Sequence, residues 1–326
     1  MLSEMKKQTQ IYCLTLLPIL CACGLASKPA GSPLNQGKWI LFESNSSGDI
    51  RTSELKSGLP IRTFTKVDFP KGLKFGKGSI ISDNGTFHIP DGNLVRVFKW
   101  NNDQNTIIRT GAFTIPKDAY RNTGNNLYTL SPDGSKVALF RLKGYLTENI
   151  TKGTLSIIDT ASGKENAVGG IHFLTTDPKA TWSGDSNYIA FNTVKDSLKG
   201  REYSVVLANP QSKTTKVISK GSVCGTFEDS SKILIYDSSI QNKVVMHEFD
   251  PVLNQLSLVR DLNPTVSYRG ANVLADGSYF KARLAPDYSG FEIGFGKFYG
   301  KSPFVVIKKY PIGAAWMPAG LLRLKD

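Results

Sequence analysis

Histidine and cysteine are scarce in this 326-residue chain, which holds three of the first and four of the second. His88, His172 and His247 lie far apart, and no His or Cys pair falls at metal-ligand spacing, which excludes a zinc-finger-type core. No Gly-x-Ser-x-Gly nucleophile turn and no glycine-rich phosphate loop occurs, so the common hydrolase and nucleotide-binding signatures are missing. No apolar run reaches the roughly 20 residues of a transmembrane helix. Long amphipathic helical patterns are lacking downstream of residue 30. Acidic residues are the smaller charge class, 27 against 40 Lys plus Arg, giving a net charge of +13. The excess is dispersed, without a five-residue cationic block. Such a field favours anionic surfaces such as lipid headgroups, lipopolysaccharide or acidic proteins.

The N-terminus carries the most informative stretch. Lys6 and Lys7 precede an apolar run, Ile11 to Ala22, that ends in Leu20-Cys21-Ala22-Cys23. A basic start, a short apolar segment and small residues at its end make a secretion signal. Cleavage after Ala26, behind Gly24-Leu25-Ala26, is one way to process it, and an uncleaved anchor is another. Leu20 to Cys23 also resembles a bacterial lipobox, with Leu at −3, a small residue at −1 and then the Cys that is lipidated. That resemblance implies a signal peptide over residues 1–22 and a mature chain starting at Cys23, with diacylglycerol on its sulfur and an acylated amine. Several acyl chains, palmitate among them, anchor stably where one is marginal. Cys21 departs from the small or β-branched residue commoner at −2. Gly24 is not the Asp that holds many Gram-negative lipoproteins in the inner membrane, so the outer membrane is implied. Export argues against nucleic acid as a partner. Residues 23–37 read as the lipidated Cys and a Ser, Pro, Gly and Lys-rich tether. Cys13 and Cys21 leave with the signal, so Cys224 has no intramolecular disulfide partner. Its context, Ser-Val-Cys-Gly-Thr-Phe, favours a buried structural thiol over a reactive one.

A repeat organises the rest. Leu127-Tyr-Thr-Leu-Ser-Pro-Asp-Gly-Ser-Lys-Val-Ala-Leu-Phe140 is an apolar strand, a turn on Asp and Gly, and a second apolar strand. Copies follow at Ala180–Phe191, Cys224–Tyr236 and Asn272–Phe280, with a worn one at Ser79–Ile89. The turn positions Asn84, Asp133, Asp185, Asp229 and Asp276 recur every 44 to 52 residues, close to the length of a four-stranded propeller blade. A second half-unit recurs at Val95–Asp103, Leu155–Lys164, Val205–Lys213 and His247–Asn254, each ending in turn residues. The fold class is all-β.

The two ends complement each other. Lys38 to Phe64 has the later strands of a unit, and Gly313–Gly320 looks like an inner strand and turn without a blade after it. Pairing them closes the ring and removes exposed edges. Five units plus this composite give a six-bladed β-propeller over residues 38–326, or seven blades if Leu321 to Lys325 adds a separate strand. Ser131-Pro-Asp-Gly-Ser-Lys-Val-Ala-Leu-Phe140 resembles the repeat of TolB-type propellers, close to Ser-Pro-Asp-Gly-x-x-Ile-Ala-Phe. Asp276-Gly277 and Asp185-Ser186 match in part. The resemblance implies architecture more than function, since propellers host many activities. TolB also has an N-terminal α/β domain, for which this chain has no room.

The recurring aspartates read as blade structure, the Asp bonding nearby amides and Gly taking the left-handed position. No cofactor, metal site or catalytic set is expected. Lys77, Asn125, Lys179, Ser222 and Arg269 precede the turns on one side of the ring, so Lys77, Lys179 and Arg269 converge on one opening. Solvation of a rim is the plainer explanation of those cations. The loops Leu142–Gly153 and Thr193–Glu202 rise on the same face and add Lys143, Tyr145, Lys195, Lys199 and Arg201. The favoured expectation is a non-enzymatic envelope lipoprotein whose propeller binds a protein, within an envelope or secretion assembly. The alternative is a glycan-binding module or propeller enzyme acting on cell-wall or surface polysaccharide, with Tyr145 and Tyr288 stacking on sugar.

Overall fold

The structure, a computed structural model, describes residues 38–55, 65–70, 72–76, 79–81, 85–104, 106–115, 128–147, 150–175, 178–197, 200–237, 245–260, 271–274, 276–300 and 302–324. Every element among them is a strand. β1 (Lys38–Asn45), β2 (Ile50–Leu55) and β3 (Thr65–Lys66) come first. Blade one is β4 (Ile80–Ile81), β5 (Thr86–Asp91), β6 (Leu94–Asn101) and β7 (Thr106–Thr114). Blade two is β8 (Tyr128–Leu130), β9 (Lys136–Thr147), β10 (Ile150–Asp159) and β11 (Glu165–Thr175). Blade three is β12 (Ala180–Trp182), β13 (Ile189–Ser197), β14 (Gly200–Asn209) and β15 (Thr214–Lys220). Blade four is β16 (Ser222–Phe227), β17 (Ile233–Asp237), β18 (Val245–Asp250) and β19 (Gln255–Leu258). Blade five is β20 (Ala271–Val273), β21 (Ser278–Leu284), β22 (Gly290–Lys297) and β23 (Val305–Pro311), and β24 (Trp316–Leu324) follows.

Each blade is an antiparallel meander in chain order, and the sixth is composite, in the order β24-β1-β2-β3. β24 runs antiparallel to β1 from Lys38↔Leu324 to Asn45↔Trp316, with a bulge between Phe42 and Glu43. The ring is therefore closed by the two ends of the chain, as expected. Leu321 to Leu324 belong to β24 itself, so no seventh blade arises. The inner strand starts at Trp316 rather than at Gly313, because Ile312 and Gly313 are the turn out of β23.

The continuous apolar runs are explained by burial on both faces, since alternate side chains of one strand serve two neighbouring blades. On β1, Trp39 and Leu41 join a core with Ile293, Phe295 and Tyr310 of blade five. Ile40 and Phe42 join another with Phe87, Ile89 and Phe98 of blade one. Likewise Ile189 and Phe191 face blade two, and Ala190 packs with Ile233, Ile235 and Phe249 of blade four. Leu234 instead meets Val273, Tyr279 and Phe298 of blade five, beside Cys224. Edge-to-face aromatic pairs join the sheets, Phe42–Phe87 at 5.4 Å, Phe140–Phe191 at 5.4 Å and Trp39–Phe295 at 5.2 Å. Cys224 is buried, 4% exposed, as its sequence context indicated.

Inner strands of adjacent blades touch directly on the turn side. β16 and β20 pair in parallel, Gly225↔Ala271 to Phe227↔Val273, and Gly184 forms a parallel bridge to Glu228. A Cβ on Gly184 would sit 1.9 Å from the Phe227 carbonyl oxygen, so only glycine permits this approach.

Candidate functional site

The propeller presents two faces. One carries the Asp turns. In blade two, Ser131 Oγ donates to Asp133 Oδ1 (2.5 Å), which also accepts the Ser135 amide (3.0 Å). Burial opposes the Asp133 charge, but the hydrogen bonds from Ser131 and Ser135 hold its carboxyl below the ordinary range. Blade three repeats this with Ser183, Asp185 and the Asn187 amide (3.1 Å). In blade five Asp276 accepts Ser278 N–H (2.9 Å), Ser278 Oγ (2.7 Å) and Lys297 Nζ (2.8 Å). Its carboxyl is again held low, burial being outweighed by Lys297 and Ser278. The left-handed position after the acid is Gly134, Ser186 and Gly277, with φ of 71°, 60° and 74°. The aspartates thus do the turn chemistry inferred from the repeat. Blade four corrects the alignment by one residue: Asp229 itself takes the left-handed conformation (φ 52°), and Glu228 stands where the other blades have Asp.

Two acidic centres were not foreseen. Glu43 is fully buried on β1, paired to Arg51 Nε (2.7 Å) and to Lys308 Nζ of blade five (2.6 Å). Burial and the neighbouring Glu43 push the Tyr310 hydroxyl well above the usual tyrosine range. Glu228 pairs with Arg323 Nη1 of β24 at 2.7 Å. Blades four and six are not neighbours, so this pair spans the axial side of blade five. A motif search could not find either pair, because the partners are 265 and 95 residues apart.

The opposite face carries the strand 2–3 hairpins. Lys179 and Lys195 are exposed here on blade three. The Lys179 carbonyl accepts the Asn192 amide (2.9 Å), and Lys195 lies three residues further along the same strand, opposite Glu202. Asn192 is buried beneath this rim. It donates to Gly221 O (3.2 Å) and Ser222 Oγ (3.1 Å) and accepts the Val223 amide (3.0 Å), fixing blade four to blade three. Tyr145 is on β9 opposite Thr151. Lys143 is exposed, and Arg201 lies 3.6 Å from Asp196 across the hairpin. Tyr288 occupies the β21–β22 turn of this face, 73% exposed with φ 57°. Lys77, Asn125, Lys199 and Arg269 lie outside the described residues, as does Cys23. Lys179 and Lys195 thus stand exposed on the same rim of blade three, and the opening expected from Lys77, Lys179 and Arg269 lies, apart from Lys179, outside the described residues.

A cleft of about 320 Å³ separates blades one and two, lined by Leu94, Phe113, Thr114 and Ile158. It also holds Arg141, which grips Glu165 through two bonds of 2.8 and 2.6 Å. Arg141 keeps the Glu165 carboxyl low, so this acid is ionised and occupied rather than poised to donate a proton. Among the described residues no group of three or more His, Cys, Asp or Glu is placed to hold a metal ion.

No protein-family model matches this chain, and no curated protein matches it. Solved structures do. TolB from Acinetobacter baumannii is 11% identical at a TM-score of 0.49, over 88% of this chain and 66% of that one. An acylaminoacyl peptidase from Pyrococcus horikoshii is 12% identical at a TM-score of 0.47, over 83% of this chain and 44% of that one. The β-propeller domain of the Trilobed protease from Pyrococcus furiosus is 12% identical at a TM-score of 0.39, over 83% and 81%. The chain thus spans just under two thirds of the first protein and under half of the second. Identities this low concern the fold alone, and the six-bladed ring itself rests on the strand pairing described above.

Proposed function

We propose that this chain is a membrane-anchored envelope protein whose propeller is a non-enzymatic binding scaffold, engaging an acidic partner protein through the hairpin face of blades two and three. The Leu20–Cys23 pattern supports the anchor and an outer-membrane location. The observation that carries the binding face is the pair of exposed lysines on a rigidly held rim. Glu43, Glu228, Asp133 and Asp276 are committed to internal bonds, while Lys179 and Lys195 stand exposed on one rim held by Asn192. Exposed cations on a rigid support attract an acidic surface.

The test is in-cell crosslinking and capture of the chain, read by mass spectrometry, beside a Lys179→Glu/Lys195→Glu variant and a Cys23→Ser variant. One envelope protein should be enriched with the parent, and lost with the charge-reversed rim. Cys23→Ser should release the complex from the membrane fraction. An unchanged capture by the rim variant would remove this face. Tyr288 gives the glycan reading its one specific support, as a 73% exposed aromatic on the same face. Saturable polysaccharide binding lost in Tyr288→Ala would favour it.

A further inference from the structure

An outermost strand has a free edge of backbone N–H and C=O groups, and natural sheets guard such edges with charge or proline. Five of the outer strands here are guarded. β3 carries Lys66, β7 Arg109, β11 Glu165, β15 Lys216 and Lys220, and β23 Lys308, Lys309 and Pro311. β19, Gln255-Leu-Ser-Leu258, carries neither. All its residues are exposed, Leu256 at 41% and Leu258 at 56%, and the preceding turn adds Val252 and Leu253 at 73% and 69%. β19 pairs with β18 from Asp250↔Gln255 to His247↔Leu258 and, among the described residues, ends its sheet on the other side.

We propose that the free edge of β19 pairs with β19 of a second copy of this chain, antiparallel about a two-fold axis at Ser257. In that register Ser257 meets Ser257 of the second copy, and Leu256 meets its Leu258. The apolar side chains then form two symmetric cross-strand pairs on one face, the self-complementarity that a two-fold interface requires. Charge leaves β19 as the edge at which this occupant can approach. The chain carries +13, so a second copy is repelled over most of its surface. Self-pairing through β15 would set lysines against lysines, and through β23 the same. At β19 no charge lies within the strand. The next cation, exposed Arg260, comes opposite Asn254 of the second copy, in the turn that carries Asp250. The interface is on the outer edge of blade four, separate from the rim around Lys179.

Sedimentation of the purified full chain in non-ionic detergent tests this, together with Ser257→Lys and Ser257→Cys. The parent should dimerise in the micromolar range, and Ser257→Lys, which sets two cations on the axis, should weaken the dimer about tenfold or more. At concentrations where both are monomeric its melting temperature should match the parent, since the position is exposed. Across an antiparallel pair the Cα atoms lie about 4.5–5.5 Å apart, within disulfide reach. Mild oxidation of Ser257→Cys should therefore join two copies of the β19 peptide through the introduced thiols, distinguished by mass from links through the N-terminal cysteines. Val217→Cys, 67% exposed on β15, should give no such dimer. A monomeric parent, a dimer indifferent to Ser257→Lys, or capture of another protein's strand on β19 in place of a second copy would overturn the proposal.

Discussion

Protonation of His88 should set how the propeller responds to mild acid. His88 is on β5, fully buried, tilted against Phe113, and neither ring nitrogen has a hydrogen-bond partner among the described residues. Burial lowers its pKa from 6.5 to about 3. The unfolded chain therefore binds a proton that the folded chain refuses, so stability falls as pH drops through the unfolded value and continues to fall towards the folded one. Each pKa unit is worth about 1.4 kcal/mol, so between about pH 7.5 and pH 5 the loss is about 2 kcal/mol. Asp133 and Asp276 do not contaminate that window. Their folded pKa values are depressed, so their contribution is lost only in and below the ordinary carboxylate range. His172, also lowered by burial, adds a slope of the same sign but is present in parent and variant alike. The assay is urea unfolding across this pH range for the parent and His88→Met, a flexible apolar replacement. The parent should lose about 2 kcal/mol more than the variant. His88→Met should be at least as stable as the parent at about pH 7.5, since it removes two unpartnered buried nitrogens. Equal pH slopes in the two proteins would refute the reasoning.

Two further perturbations address the ring. Glu43→Ala strands Arg51 and Lys308, both largely covered, at the joint of blades five and six, and should cost about 3–5 kcal/mol in thermal or urea unfolding. Glu54→Ala, which removes the exposed pair with Lys38, should cost under about 1 kcal/mol. Gly184→Ala drives a methyl into the Phe227 carbonyl and should cost about 3 kcal/mol or prevent folding, with proteolysis appearing between blades three and four. Ala substituted at Gly92, where φ is +62° but the space is open, should cost only about 1 kcal/mol in the same unfolding assay.

The repeat made the blades legible because its signals are local. Ser131, Asp133 and Gly134 build a turn from residues within reach of one another, and continuous apolar runs such as Ile189, Ala190 and Phe191 declare burial on both faces. The incomplete ends, Lys38 onward and the stretch around Trp316, even announced the closing pair. The same method misplaced the acid of blade four, where an extra turn residue moves Asp229 into the left-handed position and leaves Glu228 to pair with Arg323. It also treated His88 as one of three unremarkable histidines, since nothing in Phe87-His88-Ile89 says that the imidazole is buried against Phe113 without a hydrogen-bond partner among the described residues.

The sequence alone determined an all-β chain of repeated four-stranded units, its ring closure, the structural role of the turn aspartates and a buried Cys224. These follow from residue spacing within one blade, where chain geometry fixes the neighbours. Only the tertiary structure decided which side chains meet between blades: Glu43 with Lys308, Glu228 with Arg323, the Asn192 clamp under Lys179 and Lys195, and the unguarded edge of β19. Those contacts depend on sheet stacking and twist, which bring together residues that no local spacing relates.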